Sequence, residues 1–130
     1  MSETPIFGFI TVRSTSTRLP GKCFLPFGEV NVLTHVIRRT RHFNIKPIVC
    51  TSVDPADDKI AQIAKNESVQ IYRGPLNNKL RRWANCALQF NIKSFHTIDA
   101  DDPFFDGEEI KKSIYILNTE SLDMVYPSEL

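Results

Sequence analysis

The sequence predicts an α/β domain in which a mostly parallel sheet is covered by helices on both faces. Short apolar runs alternate with segments of helical hydrophobic spacing along the 130 residues, and this alternation is typical of βα units that form a parallel sheet. The length is that of one ordinary domain, so a single unit over residues 1–130 is expected. Hydrophobic residues make up 42% of the chain and charged residues 24%, which is a globular composition and not that of a disordered or fibrous protein.

Five segments have the length and composition of strands. The first covers residues 6–12 and is almost entirely apolar or β-branched, as expected of a strand buried on both faces. Further β-branched or aromatic runs predict strands at residues 47–51, 69–72, 94–99 and 122–126. In such a fold, ligands bind beyond the carboxyl ends of the strands. The loops after the first and fourth strands are therefore the first candidates for a functional site.

Cap residues and hydrophobic spacing predict the helices between these strands. Asn31, Asp54, and Asn77 or Asn78 stand immediately before segments with apolar residues at helical spacing, and a fourth such segment follows the fourth strand. These apolar residues are expected to face the sheet. In chain order they are Val32, Leu33, Val36 and Ile37; Ile60, Ile63 and Ala64; Leu80, Trp83, Ala84, Ala87 and Leu88; and Ile110 and Ile114.

Charge and cysteine content restrict the class of partner and the compartment. Sixteen basic residues against fifteen acidic ones leave a net charge of +1, so no global attraction to nucleic acid or to a membrane is expected. No apolar stretch approaches the ~20 residues that span a bilayer. The three cysteines are widely spaced, which is typical of free thiols in a reducing compartment, and a cytoplasmic location is expected. Cys50 and Cys86 are expected to be buried, whereas Cys23 follows Lys22 and is expected nearer the surface.

Residues 13–22, the basic loop, follow the first strand and are rich in cations and hydroxyl groups. They include four consecutive hydroxyl residues, no acidic residue, and three cations: Arg13, Arg18 and Lys22. Charge neutralisation together with several short hydrogen-bond donors is what a polyphosphate requires, so a phosphate-binding role is predicted. The P-loop pattern fails, because Ser16 stands where a glycine is needed and Cys23 replaces the magnesium-binding hydroxyl. The alternative is a solvated basic loop without a ligand.

Residues 99–103, the acidic loop, follow the fourth strand and carry three carboxylates. Clustered carboxylates at a strand end are suitable ligands for Mg²⁺, which would then face a phosphate held by the basic loop. Asp99 and Asp101 also match the short D-x-D pattern of glycosyltransferases that bind nucleotide sugars through a metal. The alternative for this segment is a turn followed by a helix that Asp106 caps.

The basic loop matches a longer motif without a gap. The motif has the approximate pattern A-R-x-x-S-x-R-L-P-x-K, and six positions agree in register: Arg13, Ser16, Arg18, Leu19, Pro20 and Lys22. In this loop the chain resembles the cytidylyltransferase family, which includes the synthetases of CMP-3-deoxy-octulosonate and CMP-acylneuraminate and the spore-coat polysaccharide proteins. Residues 51–58 resemble the family's T-S-x-D-x-x-D-D segment, residues 72–74 its F/Y-R-G ending of the third strand, and residues 101–103 its G-D-x-P metal loop.

This resemblance implies a Rossmann-like fold of the nucleotide-diphospho-sugar transferase type, of which the chain matches the N-terminal half only and is therefore incomplete. It implies CTP-dependent cytidylyl transfer to a sugar acid or related acceptor, which gives a CMP-sugar and pyrophosphate for surface polysaccharide biosynthesis. The implied cofactor is Mg²⁺ on Asp101, with Asp99 as a second candidate ligand, and the implied assembly is a homodimer. The implied catalytic cations are Arg13, Arg18 and Lys22, and the implied nucleotide-binding residues are Arg13, Ser14, Ser16, Arg18, Lys22 and Arg73.

Four positions depart from the family pattern. Val12 stands where the family has alanine and is expected to crowd the nucleotide, while Ala100 replaces a glycine and would restrict the backbone if the loop needs a positive φ. Two acidic positions of the third helix are Asn78 and Arg81 here, so the local charge is reversed. Two alternatives to a cytidylyltransferase stay open. One is a truncated or non-catalytic module for nucleotide binding or assembly, and the other is a D-x-D glycosyltransferase-type domain.

Overall fold

The computed structural model describes residues 5–15, 20–75 and 77–119, with side chains up to residue 117. None of the described helices is both long enough and apolar enough to cross a membrane. Two 3₁₀ turns, Lys22–Phe24 and Pro55–Asp57, accompany the regular elements. In chain order these are β1 (Phe7–Thr11), β2 (Pro26–Phe27), β3 (Val30–Asn31), α1 (Val32–His42), β4 (Lys46–Ser52), α2 (Asp58–Asn66), β5 (Gln70–Gly74), α3 (Lys79–Gln89), β6 (His96–Asp99) and α4 (Gly107–Thr119).

Within the described residues, the main sheet contains four parallel strands in the order β5-β4-β1-β6, and β2 and β3 form a separate antiparallel hairpin. In the centre, Phe9 of β1 pairs with Ile48 of β4 and with Thr97 of β6. The predicted parallel sheet is confirmed, while the strand predicted at residues 122–126 lies outside the described residues. The carboxyl ends of the four strands meet at one edge of the sheet, at Thr11, Ser52, Gly74 and Asp99.

Alternating side chains of β1 divide the core between the two faces of the sheet. Ile10 packs with buried residues of α1, α2 and α4, whereas Phe9 points to the opposite face and packs in a cluster with Cys86 of α3. The apolar residues predicted for α1, α2 and α4 are buried as expected, so the prediction of helices on both faces is confirmed. Three predicted caps accept hydrogen bonds from backbone N–H groups of the turns that follow them: Asn31, Asp54 and Asn78.

The buried face of α3 differs from the predicted one. Leu80 and Leu88 are 69% and 79% exposed, whereas Arg82 and Cys86 are almost completely buried. The guanidinium of Arg82 donates a hydrogen bond to the carbonyl of Pro75 at 2.8 Å, which satisfies part of a polar group that is otherwise costly to bury. A pattern based on apolar residues cannot identify a buried face that contains an arginine. The predicted stripe is therefore correct only in part: Trp83 and Ala87 are half-buried and pack against the core, whereas Leu80 and Leu88 lie on the solvent side.

The thiol of Cys23 is buried, and the prediction that it lies near the surface was wrong. The 3₁₀ turn Lys22–Phe24 directs it into the same core cluster as the buried side of α1. Burial raises the pKa of Cys23 to about 11, so the group is a protonated thiol at neutral pH. Cys50 and Cys86 are buried as predicted, and all three thiols are free.

Candidate functional site

A cleft of about 180 Å³ lies at the carboxyl edge of the sheet, where β1 and β6 end side by side. Thr11 pairs with Asp99 at this point, so the basic loop and the acidic loop leave adjacent strands. Three predicted site residues line the same cleft, namely Arg13, Asp99 and Asp101. Among the described residues, the lining consists of Thr11, Val12, Arg13, Lys79, Arg82, Asp99, Ala100 and Asp101.

Three cations line this cleft: Arg13, Lys79 and Arg82. The last two lie one turn apart on α3, whose N-terminal end follows β5 and so reaches the same edge of the sheet. Burial lowers the pKa of the Arg82 guanidinium, and the positive charge of Arg13 contributes in the same direction. Positive charges that destabilise each other in a partly desolvated cleft are stabilised by an anion placed between them. The cation set therefore suits a phosphorylated ligand.

Lys79 and Arg82 are absent from the site that the sequence predicts, although two signals indicate them. Asn78 caps α3, so positions 79 and 82 share one face of its first turn. The helix also follows a strand whose carboxyl end lies at the ligand-binding edge. The residue types alone are not informative, because cations in surface helices are usually solvated.

The acidic loop is a hydrogen-bonded turn. Asp99 Oδ1 accepts the backbone N–H of Asp101 at 2.9 Å, and Asp102 Oδ1 accepts that of Phe104 at 3.1 Å. Asp106 accepts N–H groups from the first turn of α4. The turn and helix cap considered as the alternative are thus present, and they place the exposed Asp101 at the cleft.

Both nonpolar departures from the family pattern are accommodated. Ala100 has no positive φ, since the described non-glycine residues with positive φ are Asn44, Ser68 and Asn91. The expected restriction of the backbone by its Cβ does not arise. Val12 is 6% exposed and belongs to the core cluster next to the cleft, so little of its side chain is available to crowd a nucleotide.

The two ends of the basic loop are fixed by hydrogen bonds. At the start, the hydroxyl of Thr51 donates to the carbonyl of Val12 at 2.7 Å, just before Arg13. The loop then closes on itself, because the N–H of Gly21 donates to the carbonyl of Ser14 at 2.8 Å. Arg13 therefore lies between two fixed backbone positions.

Asp57 is a fully buried carboxylate that contacts the basic loop. Its Oδ1 accepts the backbone N–H of Ser14 at 2.8 Å and lies 2.7 Å from the Ser14 hydroxyl, while its other oxygen accepts the hydroxyl of Ser52. The Ser14 hydroxyl also lies 2.8 Å from the carbonyl of Ala56, so its single proton has two acceptors within reach. Burial raises the pKa of Asp57, but the hydrogen bonds from Ser52 and Ser14 outweigh this effect and leave the pKa below its ordinary value. The group is therefore ionised at neutral pH.

Arg73 lies outside the lining of the cleft and donates hydrogen bonds to the end of β4 and to the segment that follows it. Its Nε donates to the carbonyl of Ser52 at 2.7 Å. A terminal nitrogen donates to the carbonyl of Asp54 at 3.0 Å and to Asp58 Oδ1 at 2.8 Å. Two of the three guanidinium nitrogens of Arg73 thus donate to this segment, and its predicted contact with a nucleotide stays a prediction.

The other predicted residues of the basic loop have different positions. Lys22 begins the 3₁₀ turn and is not part of the cleft lining, and the hydroxyl of Ser14 faces buried acceptors. Ser16 and Arg18 lie outside the described residues. Their predicted roles with phosphate stay predictions.

The donor set is compatible with Mg²⁺ only in combination with a nucleotide. Within the described residues, no three His, Cys, Asp or Glu side chains are grouped so that they could hold a metal ion by themselves. Asp99 and Asp101 are the carboxylates that line the cleft. Mg²⁺ is commonly held by one or two carboxylates together with substrate phosphates and water. Two carboxylates facing a cation-lined cleft fit that arrangement.

Comparison with known proteins decides the family. The family model for cytidylyltransferases matches residues 7–128. The chain belongs to the cytidylyltransferase family. A cytidylyltransferase from Leptospira borgpetersenii serovar Hardjo-bovis has a similar structure, with a TM-score of 0.80 and 29% sequence identity over 90% of this chain. The resemblance predicted from the basic loop, residues 51–58, 72–74 and 101–103 is thereby confirmed.

More distant relatives agree with this assignment. The spore coat polysaccharide biosynthesis protein SpsF of Bacillus subtilis is 24% identical over 127 residues, which is 93% of this chain. The structure of CMP:2-keto-3-deoxy-manno-octonic acid synthetase complexed with CTP has a TM-score of 0.74 over 91% of this chain and, at 16% identity, supports the fold alone. The chain spans about half the length of these proteins: 50% of the Leptospira protein, 53% of SpsF and 49% of the synthetase.

Proposed function

We propose that this chain binds CTP with Mg²⁺ and takes part in cytidylyl transfer to a sugar acid or related acceptor, giving a CMP-sugar and pyrophosphate for surface polysaccharide biosynthesis. One observation carries the proposal: Arg13 of the family motif lines the same cleft as the carboxylates of Asp99 and Asp101. A nucleoside triphosphate with Mg²⁺ requires two kinds of side chain: a cation that binds phosphate and carboxylates that bind the metal.

The proposed reaction is a displacement at the α-phosphorus of CTP. A hydroxyl oxygen of the acceptor forms a bond to that phosphorus, the bond from the phosphorus to the oxygen shared with the β-phosphate breaks, pyrophosphate leaves with that oxygen, and the hydroxyl proton passes to water. Such phosphoryl transfer depends mainly on positioning and on stabilisation of charge. Arg13, with Arg18 and Lys22 of the same loop, neutralises the charge that moves to the leaving pyrophosphate.

The other cleft residues supply binding and orientation. Lys79 and Arg82 add positive charge beside Arg13, so they attract the phosphates or an anionic acceptor. Asp101, with Asp99 as the second candidate, would hold Mg²⁺, which supplies Lewis-acid stabilisation of phosphate oxygens when bound. The free thiols fit the proposed cytoplasmic setting, and a homodimer is expected from the family resemblance.

The first test is thermal unfolding with CTP, ATP, GTP and UTP, each with Mg²⁺. At 100 times its Kd a ligand adds about 2.7 kcal/mol, which raises the Tm of a domain of this size by roughly 5–15 °C. We expect this increase with CTP and a much smaller one in Arg13→Ala, because a lost charge-assisted contact is equivalent to about 1.5–3 kcal/mol.

Arg41→Ala is the matched control. Arg41 donates a hydrogen bond to the carbonyl of Ser68 and does not line the cleft, so its removal should leave the CTP shift unchanged. Equal shifts for all four nucleotides would contradict specificity for CTP. The same shift in Arg13→Ala as in the wild type would contradict the proposed site.

A second candidate is nucleotide binding without turnover. One observation favours it: Asn78 and Arg81 stand at positions that are acidic in the family pattern. Pyrophosphate release in the presence of CTP, Mg²⁺ and a panel of sugar acids separates the two candidates. Turnover supports the transferase, while a CTP-dependent Tm shift without pyrophosphate release supports the binding module.

A further inference from the structure

We infer that Asp57 is a positioning residue, whose buried carboxylate holds the basic loop so that Arg13 enters the cleft and meets the phosphates of a bound nucleotide. This inference rests on the proposed function of the cleft. Asp57 is completely buried and does not line the cleft, so it acts through Ser14 and not by touching a ligand.

Arg13 is held on both sides by elements outside the basic loop. On one side, the carbonyl of Val12 accepts a hydrogen bond from Thr51, a fully buried residue of β4. On the other side, the N–H of Ser14 donates to Asp57 Oδ1 at 2.8 Å, across 43 positions of sequence. Two fixed points next to a single residue restrict its backbone, so the direction of Arg13 is set before a ligand binds. Such preorganisation favours binding of a phosphate by Arg13, because little conformational freedom of Arg13 is lost when the ligand binds.

Ser14 also joins the two ends of the basic loop. Its carbonyl accepts the N–H of Gly21, which has a φ of 76°, a left-handed conformation that glycine adopts without strain. The loop thus closes on Ser14, and Ser14 is bound to Asp57. Loss of the carboxylate would remove the hydrogen bonds that hold Ser14, and Ser14 is the residue that both ends of the basic loop depend on. The free-energy cost of ordering the loop would then be added to ligand binding and would lower the affinity.

A carboxylate suits this position better than a neutral side chain. Asp57 directly precedes α2, where the positive end of the helix dipole favours a negative charge. Hydrogen bonds to a charged acceptor are also shorter and stronger than neutral ones. Asparagine would keep the shape and one acceptor for Ser14, but it would lose the charge and would require the hydroxyl of Ser52 to act as acceptor.

The test compares the wild type with Ser14→Ala, Asp57→Asn and the double variant, by titration calorimetry with CTP and with CMP in the presence of Mg²⁺. We expect Asp57→Asn to bind CTP about 10- to 100-fold more weakly, the order of loss that misplacement of a functional group produces. Ser14→Ala keeps the backbone N–H that Asp57 accepts and loses only the hydroxyl, so its loss should be smaller. CMP, which lacks two of the phosphates, should be affected much less. If Asp57 had only a structural role, its substitution would weaken the binding of CTP and of CMP by the same factor, and the ratio of the two affinities would stay as in the wild type.

The double variant distinguishes the route of the effect. If Ser14 and Asp57 act through one hydrogen-bonded unit, their losses are not additive, and the double variant resembles Asp57→Asn. Additive losses would mean that the hydroxyl of Ser14 and the carboxylate act independently, which would overturn the inference. Equal CTP affinity in Asp57→Asn and the wild type would overturn it as well.

Thr40→Val is the control for stability. The buried hydroxyl of Thr40 donates to the carbonyl of Val36 within α1, away from the cleft lining. Its loss should lower the melting temperature and leave the CTP affinity unchanged. A Thr40→Val variant that binds CTP as weakly as Asp57→Asn would show that lost stability explains the effect, and the inference would fail.

Amide hydrogen exchange without nucleotide tests the anchor independently of CTP binding. We expect faster exchange at Ser14 and Gly21 in Asp57→Asn, with unchanged protection in the centre of β4. Unchanged exchange in the basic loop would overturn the inference even in a protein that binds CTP. Absence of CTP binding by the wild type would instead overturn the proposed function and leave Asp57 as a structural anchor only.

Discussion

A buried carboxylate is costly unless its lone pairs are occupied, and Asp57 meets this condition with donors from two serines. The sequence places Asp57 in a family segment, but it does not reveal the partner, because Ser14 is 43 positions away. The position of Arg13, in contrast, can be predicted from the sequence. Its place directly after a buried strand predicts that it enters the ligand crevice, and it lines the cleft.

The ionisation of Asp57 predicts a specific dependence of stability on pH. Its pKa in the folded protein lies below the ordinary value of 3.8, so its contribution to stability is complete above that value and is lost as the pH falls through the folded pKa. Asp57→Asn cannot titrate at this position. We expect the variant to be about 1–3 kcal/mol less stable at pH 7, with a difference that shrinks as the pH falls below about 4.

Urea unfolding of both proteins between pH 7 and pH 3 measures this difference. The pKa of Glu67 is also lowered, by its hydrogen bond and charge interaction with Arg38, and the titration of Glu67 likewise affects stability. That contribution is common to both proteins and cancels in the comparison. A stability difference that stays constant down to pH 3 would show that the charge of Asp57 is not what stabilises the fold.

At the scale of elements, prediction succeeds where hydrophobic spacing and a cap agree. The helix after Asn31 is observed as α1 with its apolar residues buried, and the first strand differs from its predicted limits by one residue at each end. The predicted face of α3 was wrong at Leu80 and Leu88, because the buried Arg82 is counted as polar in any such pattern. The burial of Cys23 depends on a 3₁₀ turn whose direction no periodicity records.

The start of α4 lies against Phe43, the residue after α1, and this contact depends on a glycine. A Cβ placed on Gly107 would lie 2.0 Å from Cγ of Phe43, a contact that requires the backbone or the ring to move. Gly107→Ala gains helix propensity of about 1 kcal/mol, but overpacking costs about 1–3 kcal/mol. We therefore expect a net loss of stability in urea unfolding.

Lys112→Ala is the control for the same helix. Lys112 is exposed and its ion pair with Glu109 is long, at 3.6 Å, so this substitution should change stability by no more than about 0.5 kcal/mol. The loss in Gly107→Ala should also become smaller when the ring is removed by Phe43→Ala. A Gly107→Ala variant as stable as the wild type would contradict the close approach of Gly107 to Phe43.

At the scale of the whole molecule, the site exists only because the fold joins distant segments. The basic and acidic loops lie far apart in the chain, and the parallel pairing of β1 with β6 brings Thr11 and Asp99 side by side. Such pairing is expected for a parallel sheet, but the neighbours of each strand cannot be deduced from local patterns. The third contribution to the cleft, from Lys79 and Arg82, depends on the position of α3 at the same edge.

The juxtaposition of the two loops predicts that Mg²⁺ and CTP bind cooperatively. In the wild type, CTP affinity should rise on addition of Mg²⁺, because Asp101 lines the same cleft as Arg13 and would hold the metal together with the phosphates of the nucleotide. Asp101→Asn should lose most of this gain, by roughly tenfold or more, which corresponds to at least about 1.4 kcal/mol.

Asp102→Asn is the matched control, since Asp102 lies outside the cleft lining and its Oδ1 accepts the N–H of Phe104, a bond that an asparagine oxygen can also accept. Calorimetric titration of CTP with and without Mg²⁺ measures all three proteins. If Asp102→Asn loses the magnesium effect as well, the turn as a whole and not Asp101 is responsible, and if neither variant loses it, the metal is held elsewhere.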